Sequence, residues 1–346
     1  MFDREVLSID IGSHQIKVVV GKYHNSEIII SHAFMTPTPE GAYQDGQIID
    51  IHKITYDIDK ALEQHRIKAK KVVFSLQSTN VITREVDLPS VAEEQLASML
   101  EYEIQQFFPT SLEDYVIQYK KLKTFNEDDR KTRLLVAAIP KSIVQSYWEL
   151  SKELNLKPLA LDIHSNSISK LFMKGLKLDG LDYREHTLAV VDLGYEGINI
   201  NIIKDGTLEF SRLLPIGGKE IDIMISKVFE IPKEQAEELK KTPKRDILEE
   251  ARFDNLVNSC IQGWGEEIQR IFKYHTSREL GNRIDQIYLM GGHANLKKIP
   301  EGMKGYFNIP TNVLSYLSNI KLNVSKGNEE IDLKYYLNAI GAIIRK

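Results

Sequence analysis

A chain of 346 residues, 42% hydrophobic and 27% charged, has material for more than one buried core. Its formal net charge of −4 leaves no basic footprint for nucleic acid. The single cysteine, Cys260, excludes an internal disulfide and fits a reducing compartment, and no apolar run approaches the roughly 20 residues of a membrane-spanning helix. The N-terminus runs straight into apolar sequence without a signal-peptide pattern, so a cytoplasmic chain is expected.

The first predicted element is a β-hairpin. Apolar, β-branched residues 6–11 and 16–20 flank the polar turn Gly12-Ser13-His14-Gln15. Gly12 allows close backbone approach, and the amides of a tight turn can converge on an anion. Lys17 can offer a positive charge to a phosphate, and Asp10 can hold water on Mg2+. An ordinary hairpin with a polar turn accounts for this stretch equally well. A strand over 27–33, a Pro/Gly loop over 36–41, a helix over 54–66 and a buried strand over 71–76 follow.

The pattern then changes. Residues 81–88 read as a strand, and Ser90-Val91-Ala92-Glu93 has the form of a capping box. The helix it opens carries Leu96, Leu100, Ile104 and Phe107 on one face and ends before Pro109. Strands over 115–122 and 134–139, a charged tip over 126–131 and an amphipathic helix over 141–155 complete an α+β insert. A strand over 157–163 ends at His164, a helix covers 165–174, and 175–185 is a polar crossover.

The second half repeats the opening plan. Residues 188–203 read as strand, Asp192-Leu193-Gly194, polar turn and strand. Leu214-Pro215-Ile216-Gly217-Gly218 then opens a helix. A charged helix over 232–241 places Glu237 and Lys240 on one face, with Lys241 beside them. Residues 286–296 form a strand, a Gly291-Gly292 turn and a helix start at Asn295. Near the C-terminus, Ala339, Gly341 and Ala342 allow close helix contact.

The paired Asp-x-Gly hairpins resemble the phosphate loops of the actin and sugar-kinase superfamily. The insert position narrows this to the FtsA and PilM families. The run Thr83-Arg84-Glu85-Val86-Asp87-Leu88-Pro89, the stretch 101–109 and Val72-Val73-Phe74-Ser75-Leu76 are similar to the PilM family. The resemblance implies an α/β, two-lobed actin-like (ribonuclease H-like) ATPase fold with an α+β insert in the first lobe. Its implied divisions are 1–83 and 157–180 for the first lobe, closed by 331–346, and 84–156 for the insert. The second lobe takes 181–225 and 285–330, and 226–284 forms a further subdomain.

The resemblance also implies ATP and Mg2+. Nucleotide contacts are expected at Asp10, Gly12, Ser13, His14, Gln15, Lys17, Asp192, Gly194, Tyr195, Gly217, Gly218, Glu237, Lys240, Lys241, Gly291, Gly292 and Asn295. Asp10 and Asp192 would hold the metal through water. Two departures stand out. Tyr195-Glu196-Gly197 replaces the glycine or hydroxyl residues of many hydrolysing relatives, which puts a carboxylate near the phosphates. His164 stands where relatives place a water-orienting Glu or Gln, and it is the candidate base; a structural histidine is the alternative. At most slow hydrolysis is expected. The family's implied role is a scaffold at the inner face of the cytoplasmic membrane in type IV pilus assembly. Its implied partner is the cytoplasmic N-terminal peptide of the membrane protein PilN, held between first lobe and insert. Other pilus platform proteins and assembly ATPases are further partners, and self-association is left open. The alternatives are an FtsA-like filament protein, which carries a C-terminal membrane helix not seen after Lys346, and a small-molecule kinase, which needs an acid poised at an acceptor hydroxyl.

Overall fold

The first strand sets the architecture. All six residues of β1 (Val6–Ile11) are buried, so both faces of its sheet are covered. The computed structural model describes residues 5–106, 111–122, 131–172, 177–178, 181–182, 186–242, 246–278, 282–296, 298–323 and 331–345. β1 continues as an antiparallel meander with β2 (Gln15–His24) and β3 (Glu27–Pro37). The short pair β4 (Tyr43–Gln44) and β5 (Gln47–Ile48) precedes α1 (Ile51–Gln64), whose first turn is capped by Asp50. β6 (Lys71–Leu76) pairs in parallel with β1. The insert follows as β7 (Ile82–Pro89), α2 (Glu93–Gln105), β8 (Tyr115–Lys121) and β9 (Lys131–Pro140). The chain returns through α3 (Lys141–Glu153), β10 (Lys157–Ile163) and α4 (His164–Leu171).

After the small pair β11 (Lys177–Leu178) and β12 (Leu181–Asp182), the plan recurs. β13 (Thr187–Leu193), β14 (Ile198–Lys204) and β15 (Thr207–Leu214) form a second meander. Helices α5 (Gly218–Phe229), α6 (Lys233–Lys241) and α7 (Ile247–Arg278) intervene before β16 (Gln286–Met290), which pairs in parallel with β13. Then come α8 (Lys298–Phe307), β17 (Thr311–Val313), β18 (Ile320–Leu322) and α9 (Leu337–Ile343). The first sheet has the order β10-β6-β1-β2-β3-β18 and the second β15-β14-β13-β16-β17. Asp10 lies opposite Lys17 in the first hairpin, and Asp192 lies opposite Asn199 in the second.

Period-two alternation sorts side chains into layers. Leu7, Ile9 and Ile11 face the outer side of the first sheet, against Ile54, Ile58 and Leu62 of α1. Ile143, Tyr147 and Leu150 of α3 belong to that same core, so α3 packs with the first sheet. The insert has a separate core of Val86, Leu88, Leu96, Leu100, Ile104, Leu134 and Val136. Ala189, Val191 and Leu193 face the outer helices of the second sheet. Between the sheets lies a shared core in which Val19 and Ile30 meet Leu188 and Val190 through Ile168 of α4 and Ile340 of α9.

The expected capping box does not form. Strand pairing extends β7 through Pro89, opposite Lys131, and leaves the Ser90 hydroxyl 3.1 Å from that of Thr132. Ala92 is the N-cap instead, with no side-chain hydrogen bond. Phe107, Phe108 and most of the charged tip lie outside the described residues.

The small residues of the last helix do meet a neighbour. A Cβ on Gly341 would sit 2.0 Å from the carbonyl oxygen of Ser167 in α4. Backbone cannot yield as a flexible side chain can. Gly341→Ala is therefore expected to destabilise the protein by about 1–3 kcal/mol and lower its melting temperature by several degrees. A thermal melt within one degree of wild type would contradict this packing.

Candidate functional site

Residues that follow parallel strands in the two sheets line one cleft of about 750 Å3. They include Gln77 after β6, His164 after β10, Gly194 after β13 and Gly291 after β16. Ligands of open α/β sheets collect at the carboxyl ends of strands, and a cleft of this size suits a small ligand.

The first loop is held from both sides. Gly12 N–H donates to Gln15 O (3.0 Å), and the Thr38 hydroxyl donates to Gly12 O (2.6 Å). Gly12's own amide is thus spent inside the turn, which leaves the amides of Ser13 and His14 at its tip. Behind the loop, Asp10 is fully buried. Lys17 Nζ donates to its Oδ2 (3.2 Å), and His164 Nε2 lies 2.7 Å from its Oδ1. Burial alone would raise the carboxyl pKa; the Lys17 ammonium and the His164 ring outweigh it and hold Asp10 well below the usual range. Burial likewise works against the Lys17 charge, but the Asp10 and Asp192 carboxylates raise its pKa overall.

This linkage has a testable sign. A carboxyl depressed in the folded state adds stability above its unfolded pKa, roughly 3.9, and loses it as pH falls toward the folded value. Asp10→Asn is therefore expected to flatten the acid limb of stability below about pH 4. Urea titrations at several pH values check this, and an acid limb identical to wild type would contradict it.

The second loop is tied to α5. Gly194 N–H donates to Gly197 O (3.0 Å), Gly218 N–H to Gly194 O (3.0 Å) and Lys219 N–H to Tyr195 O (2.8 Å). Glu196 also lines the cleft and pairs with Lys219 at 2.6 Å. Asn338 of α9 donates to Asp192 Oδ2 (2.8 Å), so the closing helix touches the second loop's acid. Gly291 has φ +86°, and a Cβ there would stand 2.3 Å from Asp192 Oδ1. That position requires glycine on both counts.

The third wall is polar and partly buried. His293 packs its ring onto bare Gly218, with Nδ1 3.3 Å from Leu193 O and Nε2 3.3 Å from Lys240 Nζ. Burial and the Lys240 charge push its pKa down to about 3, so the ring is neutral near pH 7. Lys240 pairs with the fully buried Asp222 at 2.6 Å. Glu237, one turn earlier, accepts from His14 of the first loop (3.0 Å) and from Lys241. The Tyr195 ring stacks on His14 with centroids 4.7 Å apart. Burial and the neighbouring Asp222 raise the Tyr195 hydroxyl pKa, so it stays protonated.

The structure brings most of the expected residues together. Gly12, Ser13, His14, Gln15, Lys17, His164, Asp192, Gly194, Tyr195, Glu237, Lys240, Lys241, Gly291, Gly292 and Asn295 line the cleft. Asp10 lies beneath the wall, Gly218 lies under His293, and Gly217 packs on the backbone of Gly194 and Tyr195. Both ring nitrogens of His164 face protein groups, Asp10 and Gln77. Sequence reasoning missed Gln77, Asp222, His293 and Asn338. Gln77 could have been found, since it follows a strand parallel to β1. Among the described residues, no cluster of His, Cys, Asp and Glu forms a separate metal site, and no helix is long and apolar enough to cross a membrane.

Two sheets built on one plan, joined through shared helices and facing a common cleft, define an actin-like ATPase fold. The sequence pattern of the type IV pilus assembly protein PilM matches residues 8–346, and the chain belongs to that family. The solved PilM-PilN type IV pilus biogenesis complex is similar in fold. It has a TM-score of 0.84 at 19% identity over 98% of this chain and 97% of that one. MreB 5 of Spiroplasma citri bound to AMPPNP has a TM-score of 0.53 at 14% identity, over 99% and 95% of the two chains. The cell division protein FtsA of Bacillus subtilis (strain 168) is 22% identical over 312 residues, 81% of this chain and 67% of that protein.

Proposed function

We propose that this PilM-family protein is the nucleotide-binding scaffold of a type IV pilus assembly platform. The observation that carries the nucleotide reading is the convergence of two Asp-x-Gly hairpins and Gly291-Gly292 on one cleft. The residues fit ATP with Mg2+. Asp192 Oδ2 accepts from Asn338, and a carboxylate oxygen can accept more than one hydrogen bond. Asp192, which lines the cleft, can therefore still accept from metal-bound water, while Asp10, fully buried, stands behind it on Lys17 and His164; oxygen donors suit Mg2+. Lys17 brings a positive charge, and the turns of both loops line the cleft, where backbone amides of tight turns can serve an anion. Bare backbone at Gly291 and Gly292 leaves room for a flat base, with Glu237 and Lys241 also lining the cleft. Bound ATP supplies a phosphoanhydride bond, but this chain's residues are arranged to hold it rather than to hydrolyse it. Glu196 is engaged by Lys219, and His164 has both nitrogens on protein groups, so turnover stays below about 1 s⁻¹.

The scaffold acts at the inner face of the cytoplasmic membrane through partners. Its first partner is the N-terminal peptide of a PilN-type membrane protein, bound by the insert together with the first lobe. The lobe divisions follow the expectation above, except that 141–156 joins the first lobe, because α3 packs there. The test is calorimetric titration of ATP with Mg2+ into the full chain. Saturable binding of one nucleotide per chain is expected; no binding at millimolar ATP would overturn the cleft reading.

A further inference from the structure

One polar side chain enters the gap between the two loops without belonging to either. Gln77 follows β6 and reaches from the first sheet toward the second loop. Its Oε1 lies 3.2 Å from His164 Nδ1. Its amide nitrogen lies 3.1 Å from where a Cβ on Gly197 would stand and 3.8 Å from the same point on Gly194. Among the described residues that nitrogen has no hydrogen-bond partner. The charged groups around it are committed elsewhere: Asp10 to Lys17 and His164, Glu196 to Lys219. An amide donor left between two anion-binding turns matches a phosphate oxygen.

We propose that Gln77 is the residue by which this cleft tells a nucleoside triphosphate from a diphosphate. Its amide donates to the terminal phosphate, which a diphosphate lacks. The inference rests on the nucleotide reading above. His164 then acts as a positioning residue: with a proton on each ring nitrogen it donates from Nε2 to Asp10 (2.7 Å) and from Nδ1 to the Gln77 oxygen, which keeps the Gln77 amide hydrogens turned to the cleft. The location adds a consequence. Gln77 begins the segment that leads into β7 and the insert. Asp45 clamps that segment by accepting from Thr79 N–H (2.8 Å), the Thr79 hydroxyl (2.5 Å) and the Asn80 amide (2.9 Å). The side chain that senses the third phosphate thus sits at the root of the insert.

The test compares ATP and ADP affinities, each with Mg2+, by calorimetry on the full chain. In Gln77→Ala, ATP affinity is expected to fall roughly tenfold or more, the worth of a hydrogen bond to a charged group. ADP affinity should stay within about twofold. Gln77→Met keeps the side-chain length without a donor and should behave alike, which separates lost donation from lost packing. Equal losses for ATP and ADP, or no change for either, would overturn the assignment while leaving the cleft reading intact. A wild-type protein that binds neither nucleotide would remove the cleft reading and this one with it.

Discussion

Lys17→Ala is expected to weaken ATP binding by roughly ten- to a hundredfold. The side chain stands between the acids of both loops, and both carboxylates favour its charged form. Its ammonium therefore persists through neutral pH and is available to a phosphate. Losing one charge-assisted contact costs about 1.5–3 kcal/mol, which corresponds to one to two decades. The same change leaves Asp10 buried with only His164 beside it. Removing one partner of a buried ion pair destabilises a fold by up to roughly 3–5 kcal/mol, and the remaining His164 contact offsets part of that here. Affinity must therefore be read on protein shown to be folded by its melt. Asp10→Ala, which removes the acid instead, is expected to lower ATP affinity in the same direction. Calorimetric titration giving wild-type affinity in both folded variants would contradict the role assigned to the first loop.

Removing the insert is expected to abolish binding of a PilN-type N-terminal peptide. The deletion is defined by the packing. Ile82 and Ala138 are directly paired neighbours on β7 and β9, so residues 84–136 can be replaced by a short turn without moving either end. α3 must stay, because Ile143, Tyr147 and Leu150 complete the first-lobe core. The insert has its own core and leaves as a unit. A peptide that orders on binding spends free energy on that ordering, so wild-type affinity is expected in the micromolar range. A fluorescence titration checks both proteins. Equal peptide affinity in a well-folded insert-less protein would place the peptide elsewhere.

Much of the fold was legible because its signals are local. The two hairpins read as apolar runs broken by Asp-x-Gly, and the α1 face of Ile54, Ile58, Ala61 and Leu62 is buried as its spacing predicts. Gly291 and Gly341 were visible as glycines, and their positions are explained by an acid and a carbonyl that a Cβ would strike. Non-local partnerships were not legible. The Ser90 cap failed because strand pairing with β9 carried β7 past it. α3 reads as part of the insert by sequence order, yet its apolar face suits the first sheet. Lys240 lines the cleft, but its pairing with Asp222, eighteen positions away, had no sequence signal. His293 fills the space that Gly218 leaves open, a fit that no spacing rule encodes. Glu196, a liability beside a phosphate, lines the cleft with its charge paired to Lys219.

The insert is linked to both lobes. Its root is clamped by Asp45 beside the cleft, and Arg278 at the end of α7 donates to Glu85 of β7 at 3.0 Å. A ligand that changes the separation of the lobes therefore acts on the insert's position. Nucleotide and peptide should be thermodynamically coupled, and coupling between two binding events is reciprocal. The most direct measurement is a closed cycle on the full chain. The PilN-type peptide is titrated with and without saturating ATP and Mg2+, and ATP is titrated with and without saturating peptide. The expected result is micromolar peptide binding whose affinity ATP changes by the same factor by which peptide changes the affinity for ATP. Two ligands that each bind with one affinity whatever the state of the other would contradict a nucleotide-governed scaffold.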